Sequence, residues 1–223
     1  CAPFDVLRGN QYNLLSAEVF DTVSGWFKSF VIHSFWLGTP CESWTRARKN
    51  DGLGPGPIRS DAQPMGLTDL EDNDLNKVLI GNELLRVSLM FMYLGISLHI
   101  PGGLENPFTS RIWMAPSMKK LLNHPSITKF VFDFCSYGEP WRKRIQVISC
   151  FLPDCQDLAK LCYGKNGLCS TSTKLHVQLT GKIGKMYKTK LAQPYPLPFC
   201  QALSFKFSHA IHSLHEKSLP SIY

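Results

Sequence analysis

Four short apolar runs constrain this chain most: FVIHSFWLG (30–38), ISLHI (96–100), TKFVFDF (128–134) and IQVISCF (145–151). Each has strand length and is rich in β-branched and aromatic residues. Between them lie stretches with helical spacing, at 17–30 and at 73–94, the latter repeating Leu75, Val78, Leu79, Leu84, Leu85, Val87, Leu89 and Met90. A third helix is predicted over 114–123. Strands alternating with helices predict an α/β domain on a largely parallel sheet. Residues 51–66, DGLGPGPIRSDAQPMG, hold too much Gly and Pro for either element and read as a long loop, and PGGLENP (101–107) reads as a tight turn.

The 223 residues are 44% hydrophobic, enough for a real core. The most apolar stretch, VSLMFMYLGISLHI, is broken by Gly95 and follows Glu83 and Arg86, so no membrane span is expected. The chain starts at Cys1 without a secretory pattern, which suggests a fragment or a processed chain. Eight cysteines in a chain of this length point to an intracellular, reducing compartment with free or metal-bound thiols. Nucleus and cytoplasm are not distinguished.

The formal net charge is +7, with basic clusters RARK (46–49), WRKR (141–144) and GKIGKMYKTK (181–190). Such clusters, with Trp and Tyr between them, fit either a polyanion surface or a solvated basic face. In doubly wound sheets ligands bind beyond the carboxyl ends of the strands. That rule sets Cys41, Glu105 and the SYGEPWRKR loop along one rim.

These residues carry a resemblance. GTPCESWTRAR resembles the Pro-Cys nucleophile loop of cytosine-5 DNA methyltransferases, LENPFTS their Glu-Asn motif, and YGEPWRKRIQVI the Tyr-Gly-x-Pro stretch before their basic motif. The order and approximate spacing agree from about residue 4 to residue 150. The resemblance implies a Rossmann-like, doubly wound methyltransferase sheet, incomplete at its N-terminus, over residues 1–153. A small irregular Cys-, Lys- and Pro-rich extension, 154–223, would pack on it. It also implies Cys41 as the thiolate that adds to carbon 6 of cytosine, and Glu105 as the hydrogen-bond partner of the ring. A free thiol has a pKa of about 8.5, so Cys41 would gain from nearby arginines. Asn106 and Pro107 would shape the Glu105 turn.

For the cofactor, S-adenosylmethionine, the resemblance points to Asp5 at the ribose, Asn13 near the adenine and Pro40. The family's Gly-rich turn has no counterpart here, so the fragment alone is expected to be inactive. The basic motif departs from the family as well: Trp141 stands for Gln, and Lys143 and Ile145 occupy the arginine places. The nucleic-acid role is therefore given to Arg46, Arg48, Lys49, Arg142, Lys143 and Arg144 as clusters. The target base must leave its stack to reach the thiol, which joins a basic surface to the same chemistry.

In the extension, Cys155, Cys162, Cys169 and His176 recur every seven residues, and these ligand types suit tetrahedral zinc. Cys162, Cys169 and His176 are the candidate ligands, with Cys135 or Cys155 as the fourth. His209, His212 and His215 read as one surface face of a terminal helix, and LAQPYPLPFC (191–200) as extended chain. Three functions stay open: a DNA cytosine-5 methyltransferase-like protein, an RNA-directed one, and a non-catalytic nucleic-acid-binding remnant of the mobile-element type.

Overall fold

Apolar spacing at Val19, Phe20, Val23 and Phe27 winds helix α1 (Ala17–Lys28) and buries Val23 and Phe27. Ser29 Oγ donates to the Gly25 carbonyl at its end, and Phe30 takes a φ of 56°. That turn leaves only Phe35–Gly38 as strand β1, shorter than the expected run 30–38. The structure, a computed structural model, describes residues 3–50, 55–184 and 186–218, apart from the side chains of residues 182 and 214–218. His215 and residues 51–54 of the expected loop thus lie outside the described side chains or residues.

The pattern at 73–94 becomes helix α2 (Asp72–Ser97), with Asp72 and Asp74 in its first turn, where the helix dipole favours negative charge. Among the described residues it is the one helix long and apolar enough to cross a membrane by length and composition. Its buried face, including Val78, Leu85, Leu89 and Met92, instead fills the protein core.

The expectation of a strand at 96–100 and a turn at 101–107 is corrected. The helix runs on through Ser97, and strand β2 (Gly102–Pro107) occupies the supposed turn. The reason is steric. A Cβ on Gly102 would enter the ring of Phe35, its register partner, and one on Gly103 would press on the Trp36 ring. Glycine here makes room for an aromatic neighbour and does not mark a bend.

Helix α3 (Pro116–Leu122) starts with proline in its first turn, where the lost N–H had no helical partner. Strands β3 (Ile127–Asp133) and β4 (Arg144–Cys150) fall where the apolar runs predict them. The four strands form one sheet in the order β1-β2-β4-β3, and β1 pairs parallel with β2 from Phe35↔Gly102 to Gly38↔Glu105. The chain is therefore a mixed α/β protein.

It divides into two compact units: residues 1–128 with 148–151, and residues 129–147 with 152–223. The first unit is built on two apolar clusters, one around Trp44, Leu85, Leu104, Ile112 and Ile148, the other around Phe27, Val87 and Phe91. The second has an aromatic core in which Phe132 and Phe199 stack with centroids 4.0 Å apart, flanked by Phe134 and Tyr137. Burying each such ring stabilises by about 2–3 kcal/mol. Strands β5 (Lys182–Ile183) and β6 (Met186–Tyr187) form a short antiparallel ribbon in this unit. Helix α4 (Leu197–Ser218) follows, so residues 197–200 are helical and not extended as expected; Cys200 N–H donates to the Pro196 carbonyl in its first turn.

Candidate functional site

In the first unit the two loops that leave β1 and β2 are laced together. β1 ends at Gly38, which pairs with Glu105 in the neighbouring strand, and Cys41 follows three residues later. Asn106 is fully buried, and its Nδ2 donates to the Thr39 carbonyl at 2.7 Å. Thr39 Oγ1 lies 2.8 Å from Ser88 Oγ on α2. Trp44 N–H donates to the Cys41 carbonyl at 3.0 Å, closing a turn directly behind the thiol. Cys41 is partly exposed and not disulfide-bonded. The Asn106 Oδ1 and Trp44 Nε1 atoms are buried without a hydrogen-bond partner among the described residues.

Arginines then fasten one loop to the other. Arg111 donates from its backbone N–H to the Trp44 carbonyl at 2.9 Å and from Nη1 to the Thr45 carbonyl at 3.0 Å. Arg46 Nε reaches the Thr109 carbonyl at 2.8 Å. Both side chains converge on Asp61, whose carboxyl is held below its usual range, first by the hydrogen bond from Arg46 and then by Arg111. Arg48 pairs with Asp74 at 2.8 Å, while Lys49 is exposed. Two of the three basic residues expected at nucleic acid on this loop are thus engaged within the protein.

Below the loop lies Arg59, which sequence reasoning missed. It is 1% exposed and has no carboxylate partner among the described residues. It donates to the carbonyls of Ser43, Pro64 and Val78, to Ser43 Oγ and to Asn82 Oδ1, at 2.8–3.1 Å. Its guanidinium carbon sits 3.5 Å from the centre of the Trp44 ring. Burial pulls its pKa down to about 10, so it remains a cation at neutral pH. Gly81 leaves the space this needs, because a Cβ there would collide with Ser43 Oγ and approach Arg59.

The residues assigned to the cofactor are engaged locally. Asp5 is exposed and caps a 3-10 turn by accepting the Leu7 N–H at 2.9 Å, and Asn13 Oδ1 accepts the Leu15 N–H at 3.1 Å. Asp5 and Asn13 are thus spent on local turns.

The second unit holds a different constellation. The ligand atoms of Cys135, Cys162, Cys169 and His176 all lie within 4.8 Å of one another, the three cysteines buried. Cys162 Sγ is 3.6 Å from His176 Nε2, close to the roughly 3.5 Å edge between sulfur and nitrogen in a tetrahedral zinc site. The cluster could hold a metal ion. The fourth candidate is Cys135; Cys155 stands apart, its thiol directed at the Pro153 carbonyl, so the sevenfold spacing in the sequence was not the signal.

Hydrogen bonds prepare the sulfurs. Burial pushes the Cys162 thiol up, but donation from Ser170 Oγ, Ser170 N–H and Gly164 N–H outweighs it and brings the pKa to about 7. Cys169 behaves likewise, burial opposed by Ser172 and by Thr171 N–H, and ends near 6. Burial together with the other two sulfurs drives Cys135 up to about 12. Donated hydrogen bonds thus favour the thiolate at Cys162 and Cys169, while burial holds Cys135 protonated.

Asp133, fully buried, anchors the cluster from behind. It accepts Arg144 Nε and Nη2 at 2.9 and 2.7 Å and the Cys162 N–H at 2.8 Å. Arg142 Nη2 donates to the Cys162 carbonyl at 2.7 Å, and Lys143 Nζ to the Ala192 carbonyl at 2.7 Å. The WRKR cluster therefore braces this fold. Only the FDFC spelling, an acid two residues before a ligand, hinted at Asp133. The chain matches no protein-family model, no curated protein sequence and no solved structure.

Proposed function

We propose that the chain is a cytosine-5 methyltransferase-like protein that handles a cytosine of DNA through Cys41 and Glu105. The observation that carries this reading is the pairing of two parallel neighbours, β1 and β2: one leads into the Pro-Cys loop, the other bears Glu105 opposite Gly38. Residues on adjacent strand ends share a rim, where α/β sheets bind ligands. The lacing by Asn106, Arg111 and Arg46 gives both loops the rigidity that a near-attack geometry requires.

The Cys41 sulfur would bond to carbon 6 of an extruded cytosine while the 5,6 π pair moves to carbon 5. Glu105 would hydrogen-bond the ring and stabilise the electron density that accumulates there. Because Asp5 and Asn13 are spent on local turns, the chemistry derived from this chain stops at that adduct. Protonation at carbon 5 followed by loss of the original hydrogen and of the thiolate regenerates cytosine, with solvent hydrogen incorporated. Exchange of the cytosine carbon-5 hydrogen with deuterium, followed by mass spectrometry on an oligonucleotide, tests the reading. Exchange should vanish in Cys41→Ser and fall in Glu105→Gln; equal exchange in Cys41→Ser removes the reading. RNA is the second substrate to try, since the covalent step is the same. In the second unit, zinc is our reading of the ion for Cys135, Cys162, Cys169 and His176, because soft thiolates with one imidazole suit it and four protein ligands close the shell.

A further inference from the structure

The basic excess of this protein is confined to one unit. Residues 1–128 with 148–151 carry 11 Lys and Arg against 12 Asp and Glu, a net of −1. The second unit carries 13 against 5, a net of +8. From Leu158 to His215 there is no acidic residue, whereas Lys160, Lys165, Lys174, Lys182, Lys185, Lys188, Lys190 and Lys206 all fall within that span. A run that has gathered cations and excluded every acid is suited to a polyanion.

The structure shows which of these charges remain available. In the first unit Arg46, Arg48, Arg86, Arg111 and Lys77 face Asp61, Asp74 or Glu83. In the second, Arg142 and Arg144 are turned to Asp133, and Lys206 to Asp157. Lys165 and Lys174 are exposed and make no ion pair among the described residues. Both lie on the loop that the metal cluster closes. That loop runs from Cys162 to His176 and doubles back through the antiparallel bridge Leu168↔Leu175. The bonds Cys169 N–H to Lys174 carbonyl, 2.8 Å, and His176 N–H to Gly167 carbonyl, 2.7 Å, complete it. It shows Tyr163, 77% exposed, and Leu175, 70% exposed, to solvent beside the lysines. An aromatic ring left this open has no role in packing.

We propose that the loop Cys162–His176 is a further nucleic-acid contact of this chain, that it takes a single-stranded polynucleotide, and that it does so only when the metal staples it. This rests on the zinc reading above. Lys165 and Lys174 neutralise backbone phosphates, and Tyr163 offers its face to an unstacked base, a sequence-tolerant contact that a duplex cannot supply. Without a metal at its base the loop is held by the Leu168↔Leu175 bridge, two tight backbone turns and the Tyr163 N–H to Ser170 Oγ bond, too little to order 15 residues against their chain entropy.

The experiment combines zinc stoichiometry by mass spectrometry with fluorescence anisotropy on a labelled 20-mer, single-stranded and duplex, for the whole chain. Wild type should hold one zinc and prefer the single strand. Tyr163→Ala should keep its zinc and bind about tenfold more weakly. Lys165→Ala with Lys174→Ala should keep zinc and flatten the salt slope by about 1.4, two phosphates at roughly 0.7 each. Cys169→Ser should lose both zinc and binding. If Tyr163→Ala and the double lysine variant keep zinc and bind as wild type does, the loop proposal falls while the zinc reading stands. A wild type that binds no zinc overturns both, and a preference for duplex overturns the single-strand assignment.

Discussion

Replacing Arg59 by methionine separates the account's structural argument from its chemistry. The side chain is 1% exposed, so methionine fills most of the volume and removes every donor. Four acceptors lose their partner: the carbonyls of Ser43, Pro64 and Val78 and the Asn82 side-chain oxygen. Ser43 Oγ can rotate to a new one. An orphaned buried acceptor costs about 1–3 kcal/mol; the Ser43 carbonyl is buried, Pro64 and Asn82 are half-buried and Val78 keeps its helical partner, so the loss is about 4 kcal/mol. Removing the cation also removes its own desolvation cost, which offsets part of this. The net expectation is a destabilisation of about 3 kcal/mol. Urea unfolding monitored by far-UV circular dichroism reads it directly. Arg86→Ala is the control, because its pair with Glu83 is exposed and such pairs contribute little. Ser43 and Trp44 follow Cys41 by two and three residues, so Arg59→Met should also slow carbon-5 hydrogen exchange. A midpoint shift worth less than about 1 kcal/mol would refute the reasoning.

Asp61 is held below its normal pKa by Arg46 and Arg111, so its contribution is present above about pH 4 and is lost as pH falls through its folded value. Protection factors of the Trp44 and Arg111 amides, taken against the intrinsic exchange rate at each pH, should fall below that pH, and Asp61→Asn should show the lowered protection at neutral pH. Chelation should melt the second unit, lowering the midpoint of wild type while leaving Cys162→Ser unchanged, since that variant has already lost a ligand. Isothermal titration of residues 1–223 with S-adenosylmethionine should give no micromolar affinity, because Asp5 and Asn13 cap local turns; stoichiometric binding would show a pocket built from other residues.

What the sequence made legible follows from periodicity. α1, α2, β3 and β4 carry apolar spacing with a definite period, and they occur close to where that spacing places them. β2 was hidden because its pair of glycines answers to Phe35 and Trp36 across the strand, a long-range demand that local propensity does not encode. The start of α4 was hidden by prolines that fit a first helical turn as well as an extended chain, although the terminal helix itself was legible. Cys162, Cys169 and His176 could be named from ligand chemistry alone. The choice of Cys135 over Cys155 needed the end of β3, since 27 positions separate Cys135 from Cys162 in the sequence. The basic clusters misled in a different way. Arg46, Arg48, Arg142 and Arg144 looked available because their partners, Asp61, Asp74 and Asp133, lie 9 to 26 positions away.

The central claim is that Cys41 forms a covalent bond to cytosine. The direct measurement is an incubation of the protein with DNA carrying 2-pyrimidinone in place of cytosine, followed by denaturing electrophoresis and peptide mass spectrometry. Without the 4-amino group carbon 6 is more electrophilic, so the thiol adduct persists without a methyl donor. The account predicts a stable complex with the oligonucleotide attached at Cys41, absent in Cys41→Ser. A protein that forms no adduct, or one that attaches the oligonucleotide through another cysteine, would contradict it.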